Sequence, residues 1–526
     1  MAKKNKNDRF SLYTVRTVDR DIRLPHSYDC HRLVSSAQCY AFLILTLFPL
    51  LIGPETYINI TKTKFAAFVV LTCLFAAACL ILGFFPSGAR SFSRPRFIPV
   101  PRITVPQGIL MAYMIWAIVC TLVSPYKGLW LGQSRYEGLC SLLLYGVAFL
   151  LLSFWGEYNN MFFYGSAAMG VLLGAIVLPQ SFGSTFLYPE GYNYWNTEFL
   201  TTIGNRDCVA GIVCILIPTL LCAFVILNER LRYLCLPALF FLTYTVAFSD
   251  VDTAKLGCLT IIVLLPFLIQ TRMRLSRLLI GLSPMLAGIA LNSMFPGREE
   301  RHFAMGAGAG IMVLTAAALY FFGRYLGKRK GNWRVKPGVV LRIGYAFTVV
   351  LLSAALIYLF VYDGDNGLLT EASAFLHGKM DDGAGSGRGV IWKKTWELIT
   401  QRPVFGGGPG SFKERFMPYN DAYNTAKGRN EVIDFAHNDF LNIGACTGLV
   451  GLGLYAAFLA ALLVRCFRKA ERCPVLLILL AGILGYLVYS FFVFSIAIVS
   501  PLFWVMAGLA DQCVRQASAI ENCKTT

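Results

Sequence analysis

The side chain whose type and placement best suit chemistry is His437, in Asp434-Phe-Ala-His437-Asn-Asp-Phe-Leu441. It directly precedes an apolar run that starts near Asn438, and histidine is the side chain best matched to proton transfer near neutral pH. The other reading is a histidine that caps the helix or bonds Asp434 or Asp439. His26, His31, His302 and His377 lie in a tail or in loops away from such a junction.

Five basic residues stand where an anion could be held. They are Arg135 in Gly132-Gln-Ser-Arg135-Tyr-Glu-Gly138, Arg206 in Gly204-Asn-Arg206-Asp, Lys255 in Asp252-Thr-Ala-Lys255, Arg388 in Ser386-Gly-Arg388-Gly, and Arg402 before Pro403. Cations grouped on one membrane face can clamp a phosphate or diphosphate. Singly, each reads as a side chain snorkelling to headgroups, and Arg135 can equally pair with Glu137. No Walker A sequence, dinucleotide fingerprint, HExxH or CxxC occurs, so the chemistry is expected without nucleotide, cofactor or dedicated metal. Asp363, Asp365, Asp381 and Asp382 could recruit a divalent ion, but carboxylates so scattered read as solvated surface.

The elements that must position these residues follow from composition. Of 526 residues 56% are hydrophobic and 14% charged, against about 25% charged in a soluble domain. A soluble enzyme is excluded. Apolar stretches near 37–54, 65–85, 106–124, 138–154, 161–178, 207–228, 234–249, 256–270, 278–294, 306–323, 340–362, 438–464, 474–492 and 500–513 predict an all-α polytopic transmembrane bundle of twelve to fourteen spans. The organisation expected is a cytoplasmic tail (1–36), a membrane region of about eleven spans (37–362), one large extracytoplasmic loop (363–436), about three more spans (437–513) and a cytoplasmic tail (514–526).

The net charge of +18 is a topological signal rather than a hint of nucleic acid. With the N-terminus in the cytoplasm, inward segments such as the 86–105 loop with Arg90, Arg94, Arg96 and Arg102 bring 30 basic and 9 acidic residues together. The outward segments have 17 and 20. The positive-inside rule requires that asymmetry. Within the large loop, Gly383–Gly387 reads as a flexible hinge or as a loop against a ligand. A helix of about three turns follows, with Ile391, Thr395 or Trp396, and Ile399 on its apolar side, and Pro403 ends it. The glycine-rich run Phe405–Phe412 reads either as a surface turn or as a backbone nest near an anion.

Four stretches together resemble the O-antigen ligase and O-antigen polymerase superfamily. They are Arg388-Gly-Val-Ile-Trp392, Arg402-Pro-Val-Phe-Gly-Gly-Gly-Pro-Gly-Ser-Phe412, Ala436-His-Asn-Asp-Phe-Leu441 and Gly448-Leu-Val-Gly-Leu-Gly453. Gln133-Ser-Arg-Tyr-Glu-Gly-Leu139 and Thr202-Ile-Gly-Asn-Arg-Asp-Cys-Val-Ala-Gly211 look like its earlier landmarks. The resemblance implies a multi-pass protein of the bacterial cytoplasmic membrane with its active side facing the periplasm or cell exterior. It implies transfer or polymerisation of a glycan from an undecaprenyl-diphosphate-linked oligosaccharide to a glycan, lipid or protein acceptor, without nucleotide, nucleic acid or metal. His437 and Arg388 then correspond to the catalytic pair, and Lys255, Arg135, Arg206, Arg402 and Trp392 to the diphosphate- or glycan-binding set. Lys255 stands where the family has a second arginine, with Arg206 as its compensator, since lysine keeps the charge but loses the fork. A lipid-linked-glycan flippase or transporter is the rival reading, and it requires a charged cavity at mid-membrane.

Overall fold

The computed structural model describes residues 11–18, 21–26, 31–84, 102–188, 199–296, 302–329, 331, 337–363, 373, 377, 388–427 and 432–525. The Gly383–Gly387 run, Arg90, Arg94, Arg96, Asp365, Asp381 and Asp382 lie outside these residues. In chain order the helices are α1 (His31–Phe42), α2 (Ile60–Phe84), α3 (Val105–Leu122), α4 (Leu139–Trp155), α5 (Met161–Ser181), α6 (Arg206–Ile226), α7 (Cys235–Ser249), α8 (Asp252–Leu259) and α9 (Ile261–Leu268). They continue as α10 (Arg272–Ser293), α11 (Ala307–Lys328), α12 (Pro337–Val361), α13 (Arg388–Gln401), α14 (Phe412–Phe416), α15 (Asn420–Lys427), α16 (Asp439–Ala470), α17 (Val475–Phe492) and α18 (Ser500–Thr525). Among the described residues ten helical segments are long and apolar enough to cross a bilayer. The protein is a multi-pass, largely helical membrane protein.

Each expected apolar stretch is helical, but three differ in detail. The first span, Arg32–Leu50, passes from α-helix into π-helix at Leu43–Leu47 and a 3-10 turn at Phe48–Leu50 around Pro49. Carbonyls freed by that change are answered by Lys64, fully buried, whose Nζ donates to Pro49 O at 2.8 Å, and by Thr202 Oγ1 at 2.9 Å. The 256–270 stretch is divided into α8 and α9 at Thr260, where Thr260 Oγ1 donates to Gly257 O at 2.7 Å. The last helix continues well beyond 513, to Thr525. Within the N-terminal tail, Ser11–Arg16 and Asp21–His26 pair as an antiparallel hairpin, β1 and β2. Val18 N donates to Ile226 O at 2.8 Å and ties it to the end of α6.

The core forms around α6, whose residues from Cys208 to Ile226 are all buried. With lipid no more polar than leucine, helices associate through close backbone approach and interhelical hydrogen bonds. Gly485 of α17 shows the first device: a Cβ there would lie 1.8 Å from Cys214 O of α6. Asp511 of α18 shows the second, accepting from Thr104 Oγ1 at 3.0 Å and Ser153 Oγ at 2.5 Å, with Arg465 at 3.4 Å.

The long helix α16 is broken at Gly448, where φ is +71° and ψ 180°. The break releases carbonyls that the glycine-rich run takes up: Gly407 N donates to Ala445 O at 3.0 Å and Gly408 N to Cys446 O at 2.7 Å. In return Leu449 N donates to Pro403 O at 2.7 Å, and Trp116 Nε1 reaches Thr447 O at 2.9 Å. These two glycine amides therefore splice the loop before α16 into an interrupted membrane helix, and neither sequence reading of the run anticipated it. Only glycine populates this backbone region freely, and a Cβ at Gly448 would fall 2.0 Å from Val404 O. Gly448→Ala is expected to cost at least about 2 kcal/mol, read as a lower thermal midpoint and yield in detergent. An unchanged midpoint would show the break to be dispensable.

Candidate active site

Residues just before α16 form the centre of the site. Asn438 is the N-cap, its Oδ1 accepting from Leu441 N at 3.0 Å, as the strong preference for Asn at that position favours. His437, one residue earlier, sits at φ +49°, a left-handed conformation that costs a non-glycine residue free energy and must be held by its surroundings. The capping role is thus taken by Asn438. Asp434 is taken too, by Ser134 Oγ at 2.6 Å and Arg135 Nε at 2.8 Å. Asp439 accepts from Ser495 N at 3.4 Å. His437 itself packs its ring edge-on against Phe494, centroids 5.4 Å apart. Neither of its ring nitrogens is hydrogen-bonded among the described residues.

Charge converges on this imidazole. Burial first, then the positive charge of Arg388, pushes His437 down to about 4; Arg135 acts in the same direction, and Asp207 and Asp434 oppose it. At neutral pH the ring is therefore uncharged and able to take a proton. Arg388 opens α13, the helix expected in the loop, whose inward face carries Val390, Ile391, Thr395, Leu398 and Ile399. Trp396 is 53% exposed, which settles the inward position on Thr395. Trp392 packs on Phe491 of α17, centroids 5.9 Å apart.

Arg135 is placed by two successive left-handed residues, itself at φ +50° and Tyr136 at +62°. Its guanidinium lies over Phe494 at 4.5 Å, so one ring supports both His437 and Arg135. The local pair with Glu137 does not form. Glu137 turns inward, accepting from Tyr145 Oη at 2.7 Å and Ser495 Oγ at 3.4 Å.

Arg135 also lines a cavity of about 290 Å³ shared with Tyr57, Asn59, Lys62, Tyr136 and Asn205. Asn205 caps α6, its Oδ1 accepting from Asp207 N at 2.8 Å, so the positive end of that helix opens beside the cavity. Arg206 is the first residue of α6 and half-buried. Lys62, exposed near the start of α2, is a cation that sequence reasoning missed; its only signal was its place between Thr61 and Thr63 at a span end.

Other candidates are engaged elsewhere. Lys255 pairs with Asp250 at 2.7 Å and Asp252 at 2.9 Å, all three about half exposed. Arg402 is exposed and lies 5.9 Å from the Tyr126 ring centroid. Arg415, absent from the sequence reading, is buried and donates to Ala445 O and, at 2.5 Å, to Leu398 O, clamping α13 to the break in α16.

The O-antigen ligase family model matches residues 302–456. That stretch is similar to O-antigen ligases. It contains Arg388, Trp392, Arg402 and His437, the glycine-rich run and the Gly448 break. Arg135, Arg206, Lys255 and Lys62 precede the matched stretch in the chain. Arg135 nonetheless reaches it, through the Asp434 pair and the Phe435 and Phe494 rings. No curated protein matches the chain.

Proposed function

We propose that this protein transfers or polymerises a surface glycan, taking it from an undecaprenyl-diphosphate-linked donor on the extracytoplasmic face of the bacterial cytoplasmic membrane. The observation that carries the reading is His437, its ring nitrogens without a hydrogen bond among the described residues, held beside Arg388 and Arg135 at the mouth of a membrane helix. In the reaction an acceptor hydroxyl oxygen forms a bond to the anomeric carbon, and its proton passes to His437. The bond from that carbon to the diphosphate oxygen breaks, and the electron pair leaves with the diphosphate. Arg388 and Arg135 answer the charge that gathers on the leaving group, and Lys62 adds a third cation at the cavity it shares with Arg135. Helix α13 covers the glycan as a lid. The orientation rests on the charge asymmetry, which puts the 363–436 loop outside.

Two buried charges of the membrane region, Lys64 and Asp511, support transfer over transport. Lys64 and Asp511 are each answered by fixed local partners rather than lining a shared mid-membrane path. The test is incubation of purified protein with a synthetic undecaprenyl-diphosphate glycan and an acceptor glycan. Release of undecaprenyl diphosphate with an equal amount of joined glycan is expected. Movement of the intact lipid across proteoliposomes, with no cleavage, would overturn the reading in favour of a flippase.

A further inference from the structure

Inside the first turns of α16 lies a cavity of about 80 Å³. Two carboxylates face it, Glu137 from the loop before α4 and Asp439 from α16, and Asp439 is only 5% exposed. Ser495 is shared between them, its Oγ donating to Glu137 and its N–H to Asp439. No Lys, Arg or His among the described residues pairs with either carboxylate. Two like charges facing one cavity without a counter-charge repel each other.

Two further groups in the same cavity lack partners. The Tyr455 side chain, 3% exposed, lines it without any hydrogen bond among the described residues. Asn442 Oδ1 is enclosed and unbonded. The groups gathered are thus oxygens, two of them carboxylates, and Trp504 adds an aromatic wall. Hard cations take oxygen ligands of this kind, and an aromatic face favours positive charge. The space holds a few water-sized groups.

We propose that this cavity binds a hard cation, with Asp439, Glu137, Asn442 and Tyr455 as its oxygen ligands. The ion links the loop that carries Arg135 to the helix turn that carries His437, two segments that the paired carboxylates would otherwise push apart. This site is structural and does not depend on the transfer reaction, so its test reads stability rather than turnover.

Thermal unfolding of the purified protein is measured in N-methylglucamine chloride at constant ionic strength, with Na⁺, K⁺ or Ca²⁺ titrated in as chlorides. At least one of the three should raise the midpoint saturably, by about 2–5 °C, and which one responds identifies the ion. Tyr455→Phe should keep the fold and shift the half-saturating concentration at least about threefold upward. Asp439→Asn should remove the response. The proposal fails if no cation moves the midpoint of the parent, or if Tyr455→Phe and Asp439→Asn respond like the parent. It also fails if lowering the pH stabilises the parent while the cations do not, which would mean that protons alone neutralise the pair. If Asp439→Asn does not fold, Glu137→Gln takes its place in the same titration.

Discussion

Purified His437→Gln is expected to turn over a lipid-linked glycan roughly 10²–10⁴-fold more slowly than the parent, the range for a positioned proton-transfer group. Its fold should be almost unaffected. The helix cap belongs to Asn438, and the neighbouring carboxylates are bonded to Ser134, Arg135 and Ser495 rather than to the imidazole. Loss of a cap costs about 1 kcal/mol, and here none is lost. The two explanations of this histidine therefore part cleanly: catalysis predicts slow turnover at normal stability, capping predicts the reverse. Activity within threefold of the parent, normalised to folded protein, would remove His437 as proton acceptor. Because the fold lowers its proton affinity from the ordinary 6.5 to about 4, the ring stays neutral above that range and the free enzyme should show no acid limb near pH 6.5. The sign for stability is the same as for any depressed group. The contribution is present above pH 6.5 and declines as pH falls toward 4, where the unfolded chain binds a proton that the folded one does not.

Arg388→Ala is expected to lower transfer by about 10²-fold or more, the usual cost of removing a preorganised group that answers transition-state charge. Membrane insertion and yield should remain, since the change removes a half-buried cation from the start of α13 and none of its apolar face. A second readout separates this role from a merely structural one. The arginine's charge holds the His437 proton affinity down, so its loss should move the acid limb of kcat/KM toward higher pH. Arg388→Lys keeps the charge but not the fork; it should leave the acid limb in place and recover less than half of the activity. Full activity in Arg388→Ala would take the residue out of the site.

The apolar runs were legible because lipid demands about 20 of them in a row and permits only helix or closed barrel. So was the loop helix, from the spacing of Ile391, Thr395 and Ile399, although Thr395 and Trp396 could not be told apart until burial decided it. What remained hidden depends on partners far along the chain. The break at Gly448 is stabilised by residues about 40 positions earlier, and Gly448-Leu-Val-Gly-Leu-Gly453 reads as uninterrupted helix without them. Glu137 reads as the natural partner of Arg135 two residues away. The left-handed turn at 135–136 sends one side chain outward to Asp434 and the other inward to Ser495, and no local pattern encodes that divergence. Lys62 was overlooked for a similar reason, since a lysine at a span end is ordinarily a headgroup contact.

The enclosure of α6 bears on how the chain is made. Every residue from Cys208 to Ile226 is covered by protein, and α17, one of the helices that covers it, lies some 250 positions downstream. During synthesis α6 must therefore first rest in lipid and later exchange that lipid for α17, whose Gly485 fits against Cys214. The bundle closes only when the C-terminus has emerged. A chain cut short before residue 475 lacks the helix that carries Gly485 and leaves that side of α6 facing lipid.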